Sequence, residues 1–109
     1  MSASRFAVAL LALASSPLAA QSLATAPPLY SGGDGSSCDT AVVVNVTDRT
    51  KGIAAEYQWL QDRFQGGKRG RQAFARGRDG KTYDTIEWIR PDGSSAWVSF
   101  DVSQFGNTR

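Results

Sequence analysis

The apolar positions of the chain indicate four strand-like runs and one helical stretch. Residues 41–46 form a nearly continuous β-branched run, which is typical of a strand covered on both faces. Three later runs occupy residues 71–76, 81–90 and 95–102. The sequences that separate them favour hairpin turns, and they read Arg78-Asp79-Gly80 and Pro91-Asp92-Gly93.

The helical stretch lies between the first run and the other three. Its apolar stripe recurs at spacings of four, three and four residues, and it consists of Ile53, Tyr57, Leu60 and Phe64. Capping side chains at 47–50 favour its start, and Gly66-Gly67 favours its end. We expect Glu56 to lie off this stripe, on the polar side of the helix.

The last run alternates in a way that predicts two different sheet faces. Ala96, Val98 and Phe100 share one face, whereas Trp97 lies on the other. We therefore expect Trp88 and the first set to pack under the helix, whereas Trp97 lies on the opposite face, where it is either exposed or covered by the N-terminal arm.

These elements predict an α+β fold of order β-α-β-β-β, with one helix packed on a four-stranded, mainly antiparallel sheet. The first strand could join either edge of the three-stranded meander or enter its middle. We expect it beside the last strand.

The N-terminus has the pattern of a cleavable secretory signal peptide. Arg5 precedes the apolar run at 6–14, and small residues ending at Ala20 provide a cleavage site, with Ala26 as a second candidate. The predicted organisation is a signal peptide at 1–20, a flexible Gly/Pro/Ser-rich arm at 21–37 and one small domain at 38–109. We expect a periplasmic or secreted product with no transmembrane span.

The composition argues against catalysis. The chain has no histidine, the commonest general base near neutral pH and the commonest zinc ligand. Of the acidic residues, Asp84, Glu87 and Asp101 could cluster across the last two strands, but strand alternation places Asp84 and Glu87 on opposite faces and so disfavours a paired-carboxylate site. We expect the single cysteine, Cys38, to have a structural or incidental role. The sequence thus predicts no enzyme, no metal site and no cofactor.

Two features suggest binding. A basic segment contains one acid, Asp79, and six cations, which are Lys68, Arg69, Arg71, Arg76, Arg78 and Lys81. It could attract an anionic polymer or a lipid headgroup, or its charge could simply protect a hairpin edge; nucleic acid is not expected for an exported protein. The exposed Trp97, beside Tyr83 or Trp59, could form a recognition surface, or the arm could cover that face.

Four parts of the chain together resemble a group of small exported proteobacterial proteins. They are the export signal, residues 31–37 leading into the run at 41–44, the helix segment 54–60 and the terminal segment 98–106. That resemblance implies no particular activity. The chain also resembles the PepSY domain of bacterial envelope proteins in its helix, its hairpin, Pro91-Asp92-Gly93 and the segment 98–106. It departs from that domain in the strand at 41–46 and in Phe105. This second resemblance implies an interaction or inhibitory module.

The preferred interpretation is a non-catalytic periplasmic or secreted module that binds another envelope protein. The alternative is polyanion or lipid-headgroup binding through the basic segment at 68–81.

Overall fold

The computed structural model describes residues 27–106, which contain one helix and five strands. The strands are β1 (Tyr30–Gly32), β2 (Val42–Val44), β3 (Lys68–Arg76), β4 (Thr82–Ile89) and β5 (Ser95–Asp101), and helix α1 (Arg49–Phe64) follows β2. The predicted signal peptide and its cleavage sites lie outside the described residues.

All five strands form one mixed sheet in the order β1-β2-β5-β4-β3. Strand β2 is parallel to β5, with Val42 opposite Phe100, and the other neighbouring strands are antiparallel. The α+β class, the single helix and the position of the first predicted strand beside the last are confirmed. The sheet has one strand more than predicted.

The additional strand, β1, lies within the segment that was predicted to be a flexible arm. It pairs with β2, and Tyr30 donates a hydrogen bond from its hydroxyl to the carbonyl of Ala55 in α1 at 2.6 Å. The following loop is also attached, because Ser99 of β5 donates to the carbonyl of Gly35 at 2.7 Å. A Gly/Ser-rich composition indicates only the local preference of the backbone for turns. It did not predict these contacts, because they are made to residues distant in the sequence.

The start of α1 is set by the predicted capping chemistry, whereas its end is set by Gln65, the residue before the predicted Gly66-Gly67. The Asp48 carboxylate accepts a hydrogen bond from the backbone N–H of Lys51 at 2.8 Å. At the other end Gln65 adopts a left-handed conformation with φ of 56°, and its N–H donates to the carbonyl of Gln61. The helix prediction is confirmed.

The buried face of α1 differs from the prediction. Its buried residues are Gly52, Ala55, Glu56 and Leu60, whereas Ile53, Tyr57 and Phe64 are only half-buried. The expectation that Glu56 lies on the polar side was therefore wrong. The reason is Phe105, whose ring packs so closely on α1 that a Cβ at Gly52 would lie 2.5 Å from it.

The core lies between α1 and the inner face of the sheet. Leu60 packs with Val42, Ile86 and Phe100, and the Trp59 ring meets Phe100 edge-on at 5.6 Å. Trp88 is buried as predicted, and its indole N–H donates to the carbonyl of Gly66 at 2.9 Å. Across residues 27–106 no helix has the length and apolarity that a membrane span requires.

Candidate functional site

The outer face of the sheet, opposite α1, carries Trp97 among small residues. The register places Trp97 opposite Glu87, and it places Thr85 between Ser99 of β5 and Ala73 of β3. Trp97 is 42% exposed, whereas Ser99 is buried. The predicted face of Trp97 is confirmed, and of the two alternatives for that face the structure shows an exposed Trp97.

An arginine is held on the Trp97 ring. The guanidinium carbon of Arg71 lies 5.1 Å from the ring centroid, and its Nε and Nη2 donate to the two Glu87 oxygens at 3.1 and 3.2 Å. These bonds lower the pKa of Glu87 to about 2, so the pair is charged at neutral pH. We call this region the Trp97 surface, and it comprises Lys68, Arg71, Ala73, Thr85, Glu87 and Trp97.

Tyr83 does not join the Trp97 surface. It lies opposite Asp101 on the same face, but it is buried and its hydroxyl donates to Asp79 at 2.6 Å. That hydrogen bond raises the pKa of Tyr83 to about 12. The tyrosine therefore anchors the β3–β4 turn.

The register divides the basic segment between the two faces of β3. Lys68 pairs with Ile89, which puts it on the outer face, whereas Arg69 pairs with Trp88 and Arg76 with Thr82, on the inner face. Arg71 reaches the outer face next to an irregularity in the register between residues 69 and 72. Arg78 and Lys81 lie at the turn beyond β3. The cations therefore form a strip along one strand, and they do not converge on one point.

The three acids considered in the sequence analysis do not cluster. Asp84 and Glu87 occupy opposite faces of β4, as predicted, and Asp101 accepts hydrogen bonds from the backbone and hydroxyl of Ser103 at 3.0 and 2.6 Å. Asp84 instead faces Glu56 of α1. Sequence reasoning missed Glu56, although its spacing of four residues from both Gly52 and Leu60 was a signal that the three share one face.

Glu56 and Asp84 form a buried carboxyl pair. They are 1% and 2% exposed, and both oxygens of Asp84 accept hydrogen bonds from the Gln72 side-chain nitrogen, at 2.9 and 2.8 Å. Burial, followed by the hydrogen bond and charge of Asp84, raises the pKa of Glu56 to about 10. Glu56 is therefore a protonated acid at neutral pH and donates to Asp84.

The pair forms the floor of a cavity of about 250 Å³ between α1 and β3, which we call the helix–β3 cleft. Its polar lining also includes Arg49, Tyr57, Arg69 and Gln72, and its apolar lining consists of Ile53, Phe74 and Phe105. The Glu56 Oε2 atom is buried without a hydrogen-bond donor among residues 27–106.

Cys38 is exposed, contrary to the behaviour of most free cysteines. It lines a second cavity of about 370 Å³ together with Asp79, Tyr83 and Asp101. The part of the chain that the structure describes contains no group of three or more His, Cys, Asp or Glu side chains that could hold a metal ion.

No protein-family model matches the chain, and neither a curated protein nor a solved structure matches it.

Proposed function

We propose that this protein is an exported, non-catalytic interaction module that uses the Trp97 surface to bind an extended acidic segment of another envelope protein. The observation that supports the proposal most strongly is the exposed Trp97 ring with Arg71 fixed on it by Glu87. Tryptophan and arginine are the residue types that most often dominate binding energy at interfaces. Here both are ordered before any partner arrives, which reduces the entropy lost on binding.

The shape of the Trp97 surface favours a chain over a compact ligand. Ala73 and Thr85 are small side chains paired on the same face of the sheet as the tryptophan, so an extended segment could pass over them. On the outer face β3 contributes two cations, Lys68 and Arg71, which lie roughly 10 Å apart at the usual rise of a β-strand. That spacing matches two carboxylates along an extended peptide.

A direct test uses peptides of known charge. Two display libraries of random peptides, one enriched in Asp and Glu and the other in Lys and Arg, are selected on the purified protein. We expect enrichment from the acidic library, and we expect Trp97→Ala and Arg71→Ala to remove it. Leu29→Ala is the matched control, because Leu29 is a similarly exposed apolar residue, at 47%, outside the Trp97 surface.

The proposal would be contradicted if neither library were enriched. It would also be contradicted if the selected acidic peptides bound Trp97→Ala as tightly as they bind the wild type. Binding to heparin or to phosphatidylglycerol vesicles that needs the β3 cations but not Trp97 would instead support polyanion or headgroup recognition. The strip of cations alone favours that second candidate, since counterion release requires no aromatic anchor.

A photoreactive residue at position 73 then identifies the partner in cells that export the full chain. The matched position is Gln58, which is exposed on α1. We expect position 73 alone to capture a protein, through a segment rich in Asp and Glu. Capture of lipid or polysaccharide, or of a basic segment, would contradict the proposal.

A further inference from the structure

The helix–β3 cleft has the features of a small-molecule site that the proposed interaction surface does not use. It opens on the inner side of β3, whereas the Trp97 surface lies on the outer side. Its floor is the carboxyl pair, which is almost completely buried. Native proteins rarely bury a carboxyl oxygen without a donor, and Glu56 Oε2 has none within residues 27–106.

The rim of the cleft carries the opposite charge. Arg49 and Arg69 are both exposed, and no carboxylate of the described residues forms an ion pair with either. Arg69 is oriented by Nη1, which donates to the Tyr57 hydroxyl at 3.2 Å and to the Gln72 side-chain oxygen at 2.9 Å. Its other nitrogens remain available to a ligand, since a guanidinium carries five N–H donors.

We propose that the helix–β3 cleft binds a small zwitterion, with its ammonium group against the buried carboxyl pair and its carboxylate against the two rim arginines. The ammonium supplies the donor that Glu56 Oε2 lacks. The aromatic rings of Tyr57, Phe74 and Phe105 line the space between the two charged ends and suit a short hydrocarbon linker. A simple cation would be repelled at the rim, and a simple anion would be repelled at the floor.

Binding releases one proton. The ammonium stabilises Glu56 as a carboxylate, so the proton of Glu56 is released to the buffer. The ammonium group of the ligand stays fully protonated. The charged or titratable groups that line the cleft with Glu56 are Arg49 and Tyr57 from α1, Arg69 from β3 and Asp84 from β4. Affinity therefore increases with pH below the pKa of Glu56, because each bound ligand displaces a proton.

The test is calorimetric titration of the purified chain with three matched probes, which are 6-aminohexanoate, hexylamine and hexanoate. The first carries both charged groups, and the others carry one each. We expect 6-aminohexanoate to bind most tightly, with proton release measured from the difference between phosphate and Tris buffers. We also expect it to shift the NMR signal of the Gln72 side-chain amide, which bonds to Asp84.

Substitutions assign the contacts. Glu56→Gln should weaken 6-aminohexanoate about tenfold, the loss expected for one hydrogen bond to a charged group, and abolish proton release. Asp62→Asn, an exposed acid on the same helix, should do neither. Arg49→Gln should weaken 6-aminohexanoate without changing hexylamine, and Lys51→Gln, in the same helical turn but outside the cleft, should change neither probe.

Three outcomes would overturn the inference. They are no detectable binding of 6-aminohexanoate up to its solubility limit, binding that Glu56→Gln leaves unchanged, and binding without proton release. None of them bears on the Trp97 surface, so the failure of one proposal is distinguishable from the failure of the other.

Discussion

One missing side chain on the helix decides the position of Glu56. A Cβ at Gly52 would lie 2.5 Å from the Phe105 ring, so the ring packs directly on the helix backbone. Because helix positions four apart lie on one face, Glu56 and Leu60 follow Gly52 into the interior. An aromatic residue near the C-terminus thus places a carboxyl group in the core.

The burial of Glu56 predicts how stability depends on pH. The pKa of Glu56 is raised to about 10 in the folded protein from 4.5 in the unfolded chain. The folded state therefore holds a proton that the unfolded chain releases, so stability is greatest below the lower value and decreases as pH rises towards the higher one. The slope attributable to Glu56 approaches about 1.4 kcal/mol per pH unit between these limits.

Glu56→Gln is the matched variant, because its amide can donate to Asp84 at every pH. We expect this substitution to remove the decrease and to make the protein more stable than the wild type at pH 8. Urea unfolding at several pH values measures both effects. A wild type whose stability does not decrease between pH 5 and pH 9 relative to Glu56→Gln would show that Glu56 is not buried as a protonated acid.

At the scale of elements, β1 shows how a polar segment becomes part of a sheet. Its three residues bury little apolar surface, and their attachment depends on pairing with β2 and on the bond from Tyr30 to the carbonyl of Ala55. The same bond ties the sheet edge to α1. The strand is therefore stabilised by its contacts with β2 and α1, and its own composition contributes little.

Tyr30→Phe tests this attachment, since it removes the hydroxyl and keeps the ring. We expect a loss of about 1 kcal/mol in the free energy of unfolding, the usual value of one hydrogen bond, and faster amide exchange in β1 and β2. Leu29→Ala, at the adjacent exposed position, should change stability by less than about 0.5 kcal/mol. Equal effects of the two substitutions would mean that the hydroxyl does not anchor the strand.

At the scale of the whole molecule, the sheet separates two different surfaces. The outer side carries an aromatic ring with a fixed arginine, and the inner side carries a cleft with an acidic floor and a basic rim. Two ligands could therefore bind without competing for the same residues. The proposal for the Trp97 surface assumes that the protein reaches the cell envelope, and the proposal for the cleft does not.

The proposed export predicts a specific N-terminus. We expect the mature protein, purified from the envelope fraction, to begin at Gln21, or at Pro27 if the second cleavage site is used. Intact-mass measurement decides between these two products. A cytoplasmic protein that retains Met1 or Ser2 would contradict the predicted signal peptide, and Ala20→Arg should block cleavage at the first site.

Short-range patterns were enough to predict the helix with its N-terminal cap, three strands of the meander and the face of Trp97. Periodicity and turn chemistry depend on residues that are close together in the chain, so both can be recognised from the sequence. The pairing of β2 with β5 was also expected, but the apolar run at 41–46 indicated only a well-covered strand and did not specify its partner. Alternation predicted the face of Trp97, whereas the tertiary structure decided that the N-terminal segment leaves the ring exposed.

The tertiary structure alone decided three other features, which are the strand at Tyr30–Gly32, the burial of Glu56 and the stacking of Arg71 on Trp97. Each depends on a contact between residues far apart in the chain. The hydroxyl that reaches Ala55 and the strand register that sets Arg71 beside Trp97 leave no periodic pattern in the sequence. The four-residue spacing of Gly52, Glu56 and Leu60 is a periodic pattern, but it does not show that Phe105 packs against Gly52 and makes this face the buried one. Both candidate sites arise from such contacts, because folding alone brings their residues together.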